Sequence, residues 1–200
     1  MPSTDPLAAL KALQHKASAF FEDFAQRHAH DMACRKGCTA CCHVDLSVFR
    51  AEAHCVLAWV QELNAQEQQQ LYTLLFERQQ EDEAGLTLKK PNPVGAKHEP
   101  CAFLVQDACS IYAARPTVCR TQGAPLLWRS EDPNAPNTRH LDVCPVHPGA
   151  KRAEWPDPAE ALDLDRLNTL LVLTQKDFEA TGQRISLNDL RNVILDQLRT

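Results

Sequence analysis

Residues 34–42, CRKGCTACC, put four cysteines into nine positions, and any fold this chain adopts has to accommodate them. Cys55, Cys101, Cys109, Cys119 and Cys144 bring the total to nine. In an exported chain that many thiols would suggest a disulfide framework. Three features oppose that reading. The opening MPSTDPLAALKALQHK has no basic start followed by an apolar stretch, the count is odd, and adjacent cysteines cannot bridge to each other without strain. The expectation is a cytoplasmic chain whose clustered thiols act as metal ligands or redox groups.

The remaining composition is that of an ordinary globular chain, 44% apolar and 24% charged with a net charge of -5. One domain over residues 1–200 is expected. The acidic balance argues against general nucleic-acid binding, which needs a basic face to neutralise phosphates. No apolar run approaches a membrane span, so no membrane partner is expected. A metal ion or cluster is the partner the residues suggest, and nothing points to a particular protein partner.

Hydrophobic periodicity predicts a mainly α protein, a helical bundle with an irregular cysteine-rich region and one short β-hairpin. Helices are expected at about 5–30, 47–64, 66–84, 158–181 and 186–199. The first carries Leu7, Leu10, Leu13, Ala17, Phe20, Phe21 and Phe24 on one stripe and enters at Asp5-Pro6. The second has Val48, Cys55, Trp59 and Leu63 on one face, with Glu52 as a first-turn carboxylate. The third has a narrow stripe of Leu71, Leu74, Leu75 and Arg78 with a strongly polar tail, and ends at Gly85. The fourth places Leu162, Leu167, Leu170, Leu171 and Leu173 near one face. The fifth starts on Ser186 with Asp189 three residues on and buries Leu190, Val193, Ile194 and Leu198.

Residues 89–150 hold most of the thirteen prolines and show no sustained helical period. CAFLVQDACSIY reads as a hairpin turning at Gln106-Asp107, ARPTVC as a helical turn opened by Pro116, and SEDPNAPNTRH as loop. So long a stretch with little regular structure needs something besides an apolar core to hold it. The metal region is therefore expected to be 34–43 together with 98–148.

Cys34, Cys38 and Cys41 have the spacing C-x3-C-x2-C, which lets one loop aim three sulfurs at one centre, with Gly37 at its tight point. Neighbouring side chains diverge, so Cys42 is expected to face a second centre or to stand at the edge of the first. With Cys101, Cys109, Cys119 and Cys144 these make eight thiols, enough for two four-thiolate shells. Cys55 is read as a core residue. Zn2+ and an iron–sulfur cluster both accept four thiolates, and three ligands from one short loop favour the cluster. Arg35, Lys36, Arg115 and Arg120 are either cations offsetting the thiolates or solvated surface. Among the histidines near the cysteines (His28, His30, His43, His98 and His147), His43 is the preferred substitute ligand.

CRKGCTACC followed by CAFLVQDACSIYAARPTVCR resembles the YkgJ-type cysteine-cluster family of bacterial proteins, described as zinc- or iron-chelating, over residues 34 to about 144. The resemblance implies metal chelation. Flagellin lysine methylases share a similar cysteine pattern, which keeps an enzymatic reading open. Ala102 stands where the family usually has proline, and the link from Cys101 to Cys109 is short. Within this block Pro116 would fix the turn that delivers Cys119. Tyr112 and Arg115 would stand just outside the ligands, Tyr112 either donating to a ligand sulfur or simply packing.

Three functions remain in competition. The leading one is a metal-binding protein in which thiolates hold an iron–sulfur cluster or zinc in a structural or redox role. The others are an enzyme related to the lysine methylases and a metal chaperone or buffer.

Overall fold

The computed structural model of the chain describes residues 5–35, 37–87, 90–91, 97–135 and 137–199. Helices dominate, with short strands between them. The chain divides into two compact units, one of residues 1–35 and 117–180, the other of residues 36–116 and 181–200.

In the first unit, α1 (Ala8–Arg27) packs on α4 (Thr117–Thr121) and α5 (Leu164–Phe178). Asp5 accepts a hydrogen bond from the Leu7 N–H, which fixes the entry to α1. The apolar stripe of α1 then buries Leu10, Leu13, Ala17 and Phe24. Asp163 caps α5 by accepting from the Arg166 N–H at 3.0 Å. This helix buries Leu167, Leu171, Thr174 and Gln175. Leu170 and Leu173, which the periodicity placed near the same face, are exposed. They lie three residues apart on a neighbouring stripe of the helix, and Leu162 precedes it in a short strand.

The second unit holds α2 (Arg50–Glu62), α3 (Ala65–Glu83) and α6 (Leu187–Arg199). Its core joins Ala53, Val56 and Val60 of α2 with Leu71 and Leu75 of α3 and Leu187, Leu190, Ile194 and Leu195 of α6. Val48, Phe103, Ile111 and Ala114 close it. On α6, Val193 points outward at the place expected of a core residue and Leu195 takes the inward one. Residues Ser47–Phe49 form strand β1 rather than the first turn of α2. Glu52 then accepts from the Phe49 N–H at 3.2 Å, so helix α2 begins three residues later than its pattern suggested. Asn64 caps α3 by accepting from the Gln66 and Glu67 N–H groups, and Glu67 reaches back to the Asn64 N–H. That reciprocal pair satisfies donors the helix leaves open.

The remaining strands are short. Lys90–Pro91 (β2) pairs with Lys97–His98 (β3). Leu104–Val105 (β4) and Ala108–Cys109 (β5) form the expected hairpin. Gln106 and Asp107 at its tip both have positive φ, 49° and 57°, as a two-residue turn matched to strand twist requires. In the first unit Leu126–Arg129 (β6) pairs antiparallel with Arg139–Asp142 (β7) and parallel with Leu162–Asp163 (β8). Part of the stretch read as loop is therefore a ribbon: Arg139 and His140 belong to β7. Pro136 within it lies outside the described residues. Arg184–Ser186 (β9) pairs antiparallel with β1, so Val48 stands opposite Ile185 beside the α6 N-terminus. Ser186 accepts there from the Asp189 N–H and donates to its carboxylate. No helix among the described residues is long and apolar enough to cross a membrane.

Candidate metal centre

The loop that carries the cysteine run leaves α1 and reaches β1 through a short 3-10 turn, Ala40–Cys42. Gly37 has φ +88°, a conformation open to glycine and costly for other residues. The turn places Cys41 and Cys42 where their side chains meet. The expectation that adjacent thiols diverge holds for strands and regular helix, and a tight terminal turn escapes it. The Cys42 carbonyl accepts from the Cys101 N–H at 2.7 Å. That bond ties the cysteine run to the start of the Cys101–Cys109 segment.

Four thiols of the second unit therefore sense one another: Cys41, Cys42, Cys101 and Cys109. The Cys42 thiol donates to the Cys41 sulfur and, against the opposing effect of burial, brings Cys41 down to about 7, with help from the Arg115 guanidinium. Cys42 is correspondingly pushed far up, first because Cys41 holds its proton, then by burial and by Cys101 and Cys109. Burial pushes Cys101 up to about 11; the Phe103 N–H and the Arg78 charge oppose it, and Cys109 adds to it. Cys109 is raised by burial too, against the Ile111 N–H and Arg115. The result is one thiol that ionises near neutral pH beside three that keep their protons.

Arg115 stacks 3.7 Å over the Tyr112 ring and donates from Nε to the Tyr112 carbonyl at 3.1 Å. Its charge is felt at Cys41 and Cys109, whereas Tyr112 is 61% exposed. Tyr112 thus shelves the guanidinium. Cys38 belongs to the same unit. Cys55 sits half-buried at the flank of α2, because the inward face of that helix runs through Ala53, Val56 and Val60.

Cys34, Cys119 and Cys144 belong to the other unit. Pro116 immediately precedes α4, which carries Cys119. Cys144 opens a turn whose carbonyl accepts from the His147 N–H at 3.0 Å. The His147 ring, 1% exposed, accepts at Nδ1 from the Ala33 N–H at 2.9 Å and donates from Nε2 to the Gly123 carbonyl at 2.8 Å. Both nitrogens are committed to backbone, so this imidazole acts as a strut beside Cys34 and not as a ligand. Gly123, with φ +90°, passes so close that a Cβ there would lie 2.2 Å from the Cys34 sulfur. Trp155 meets the His147 ring edge-on at 5.9 Å and leaves room only for glycine at position 149, where a Cβ would stand 2.5 Å from the indole.

Among the other histidines, His28 stacks on Phe24 at 4.3 Å and lies 3.2 Å from Glu160. His43 is buried directly after the turn. The side chain of His98, and Lys36 as a whole, lie outside the described residues. Arg120 donates to Ser18 at 3.1 Å, which takes it out of a purely solvated role. Sequence reasoning did not single out three residues that stand close to these thiols. Arg78 was visible as a charge on an apolar stripe and His147 as a histidine three residues after a cysteine; nothing marked Gly123.

Among the described residues no three His, Cys, Asp or Glu side chains stand together at metal-ligand spacing. The donor set itself suits a soft or borderline metal: thiols in number, one of them ionising near neutral pH, with cations beside them. No curated protein and no solved structure matches the chain. Residues 33–145, more than half of the sequence, match "CxxCxxCC: Putative zinc- or iron-chelating domain", and the chain belongs to that family.

Proposed function

We propose that the protein holds its metal through the eight cysteines Cys34, Cys38, Cys41, Cys42, Cys101, Cys109, Cys119 and Cys144, with an iron–sulfur cluster favoured over Zn2+. The observation that carries this is the electrostatic coupling of Cys41, Cys42, Cys101 and Cys109, each shifted by a charge or proton of another. Four thiolates are the shell that both zinc and cubane clusters take. A short loop that delivers several of them supports the cluster.

Cys41, already ionised in part at neutral pH, offers the first thiolate. The protonated neighbours must each lose a proton to ligate, so metal uptake releases protons and strengthens as pH rises. Arg115 offsets part of the negative charge that results. The role this supports is structural or redox.

Iron, zinc and acid-labile sulfide measured on protein purified without oxygen test the reading. Iron with matching sulfide supports a cluster, and zinc without sulfide supports a zinc site. Protein without either metal, still folded and indifferent to chelators, overturns the proposal.

A further inference from the structure

Arg78 has no part in the scheme above, yet it is 5% exposed on the inward stripe of α3, in line with Leu71 and Leu75. Burying a guanidinium is costly unless every edge of its fork finds a partner. Here each edge does. Nη1 donates to the Leu104 carbonyl at 2.7 Å and Nη2 to the Pro100 carbonyl at 3.0 Å, while Nε donates to Asp82 at 3.0 Å. Asp82 is in turn gripped by Arg191 of α6 and by the Thr87 hydroxyl. The two carbonyls flank the turn of which Cys101 is part, and the Leu104 N–H donates to the Cys101 carbonyl at 2.9 Å within it.

We propose that Arg78 is a positioning residue of the metal centre: held by Asp82 and Arg191, its fork clamps the chain on both sides of Cys101 and so sets where that thiol stands. The clamp rests on the metal-binding reading for its purpose. It also brings a charge the site can use, since Arg78 and Arg191 against Asp82 leave one positive charge in excess beside a centre that becomes anionic when its thiols ionise. Lysine cannot replace the fork. It keeps the charge but presents one point donor where three directions have to be met.

The test uses the full-length, metal-free chain, with Co2+ as the probe, in the wild type, Arg78→Lys, Arg78→Met, Cys101→Ser and the Arg78→Lys/Cys101→Ser double variant. Groups that orient a metal ligand typically contribute 10–100-fold to affinity. Both Arg78 variants are expected to weaken Co2+ by about tenfold or more in that range and to lower the thiolate-to-cobalt absorption to the level of Cys101→Ser. The double variant should lose no more than Cys101→Ser alone, because the clamp acts through that thiol. Wild-type affinity and absorption in Arg78→Lys would overturn the clamp, as would losses in the double variant that multiply.

A second readout needs no metal. Site-resolved alkylation should show Cys101 of the metal-free Arg78→Lys protein reacting several-fold faster than in the wild type, with Cys38 unchanged. Unchanged Cys101 reactivity overturns the inference even if Arg78→Met fails to fold. A wild type that takes up no Co2+ counts against the metal reading itself, and faster alkylation at Cys101 would still support the clamp.

Discussion

In the unit of residues 36–116 and 181–200, Cys101 and Cys109 stand at the edge of a hydrophobic core shared by α2, α3 and α6. In the unit of residues 1–35 and 117–180, the chain around Cys34 is pinned at single points: the His147 ring nitrogens bond the backbone at Ala33 and Gly123, and Gly123 passes against the Cys34 sulfur. The first arrangement spreads the task over many apolar contacts, each small and partly replaceable. The second concentrates it on polar bonds and close approaches that tolerate no added atom. The two should therefore fail differently. Changes around the first should act through the thiols themselves, and changes around the second through single scaffold atoms.

The largest expected effect is the loss of a ligand. In small metal sites the binding energy is folding energy, on the order of 10 kcal/mol. Cys41→Ser should collapse much of that in the metal-loaded protein, whereas Cys55→Ser, half-buried at the α2 flank, should cost about 1–3 kcal/mol. Thermal melts of the two loaded variants check this, and equal shifts would show that the thiols of this unit are not divided into ligands and bystanders. Next comes His147→Ala, which leaves the Ala33 N–H and the Gly123 carbonyl without their partner and opens a cavity. Two unmet backbone groups at about 1–3 kcal/mol each put the expected loss at ~4 kcal/mol, measured by urea unfolding. A loss under ~1 kcal/mol would mean that the strut is not what places Cys34.

Glycines sharpen the contrast. Gly123→Ala combines positive-φ strain with a Cβ driven onto the Cys34 sulfur, and about 3 kcal/mol is expected. Gly37→Ala meets nothing within 4 Å and bears only the backbone cost, about 1 kcal/mol. If the two cost the same in denaturant titrations, close packing at Cys34 contributes nothing, and the supposed difference between the units goes with it.

How much of this the sequence discloses follows from the range of the forces involved. The helix stripes, the Ser186 and Glu52 caps and the Gln106-Asp107 turn are local, because each depends on residues within four positions, and all are legible. The inward choice between Val193 and Leu195, or between Cys55 and Val56, depends on what packs opposite, and single-helix periodicity cannot settle it. The β6–β7 ribbon was hidden by polar residues such as Arg139 and His140, which strands tolerate when both faces are not buried. The thiols were legible as a set because their chemistry is unusual. Their distribution was not, since Cys42 meets Cys41 only through a tight turn and the residue before Cys34, Ala33, is bonded to the ring of His147 far along the chain. Arg78 lay in between: the sequence places it on the apolar stripe of α3, and its partners, the carbonyls of Pro100 and Leu104 and the Asp82 carboxylate, come into view only in the fold.

The smallest effect concerns the Cys41–Cys42 pair in metal-free protein. Cys41 titrates at about 7 in the fold, below the ordinary thiol value of about 8.5. A group lowered in this way contributes stability that is fully present above the unfolded value and is lost as pH falls through about 7. Cys42 is raised, so its contribution is fully present below about 8.5 and is lost as pH climbs through its folded value. The pair shares one proton, and its joint contribution declines on the acid side as Cys41 is protonated. Cys42→Ala removes the donor, so Cys41 should titrate nearer 8.5 and the decline toward pH 7 should flatten; Cys42→Ser keeps a hydroxyl donor and should leave much of the shift in place. Ultraviolet thiolate absorbance against pH checks both. A transition near 7 that persists unchanged in Cys42→Ala would assign it to Arg115 instead of to the neighbouring thiol, and would make the unit of Cys41 depend on scaffold charge much as the unit of Cys34 depends on its imidazole.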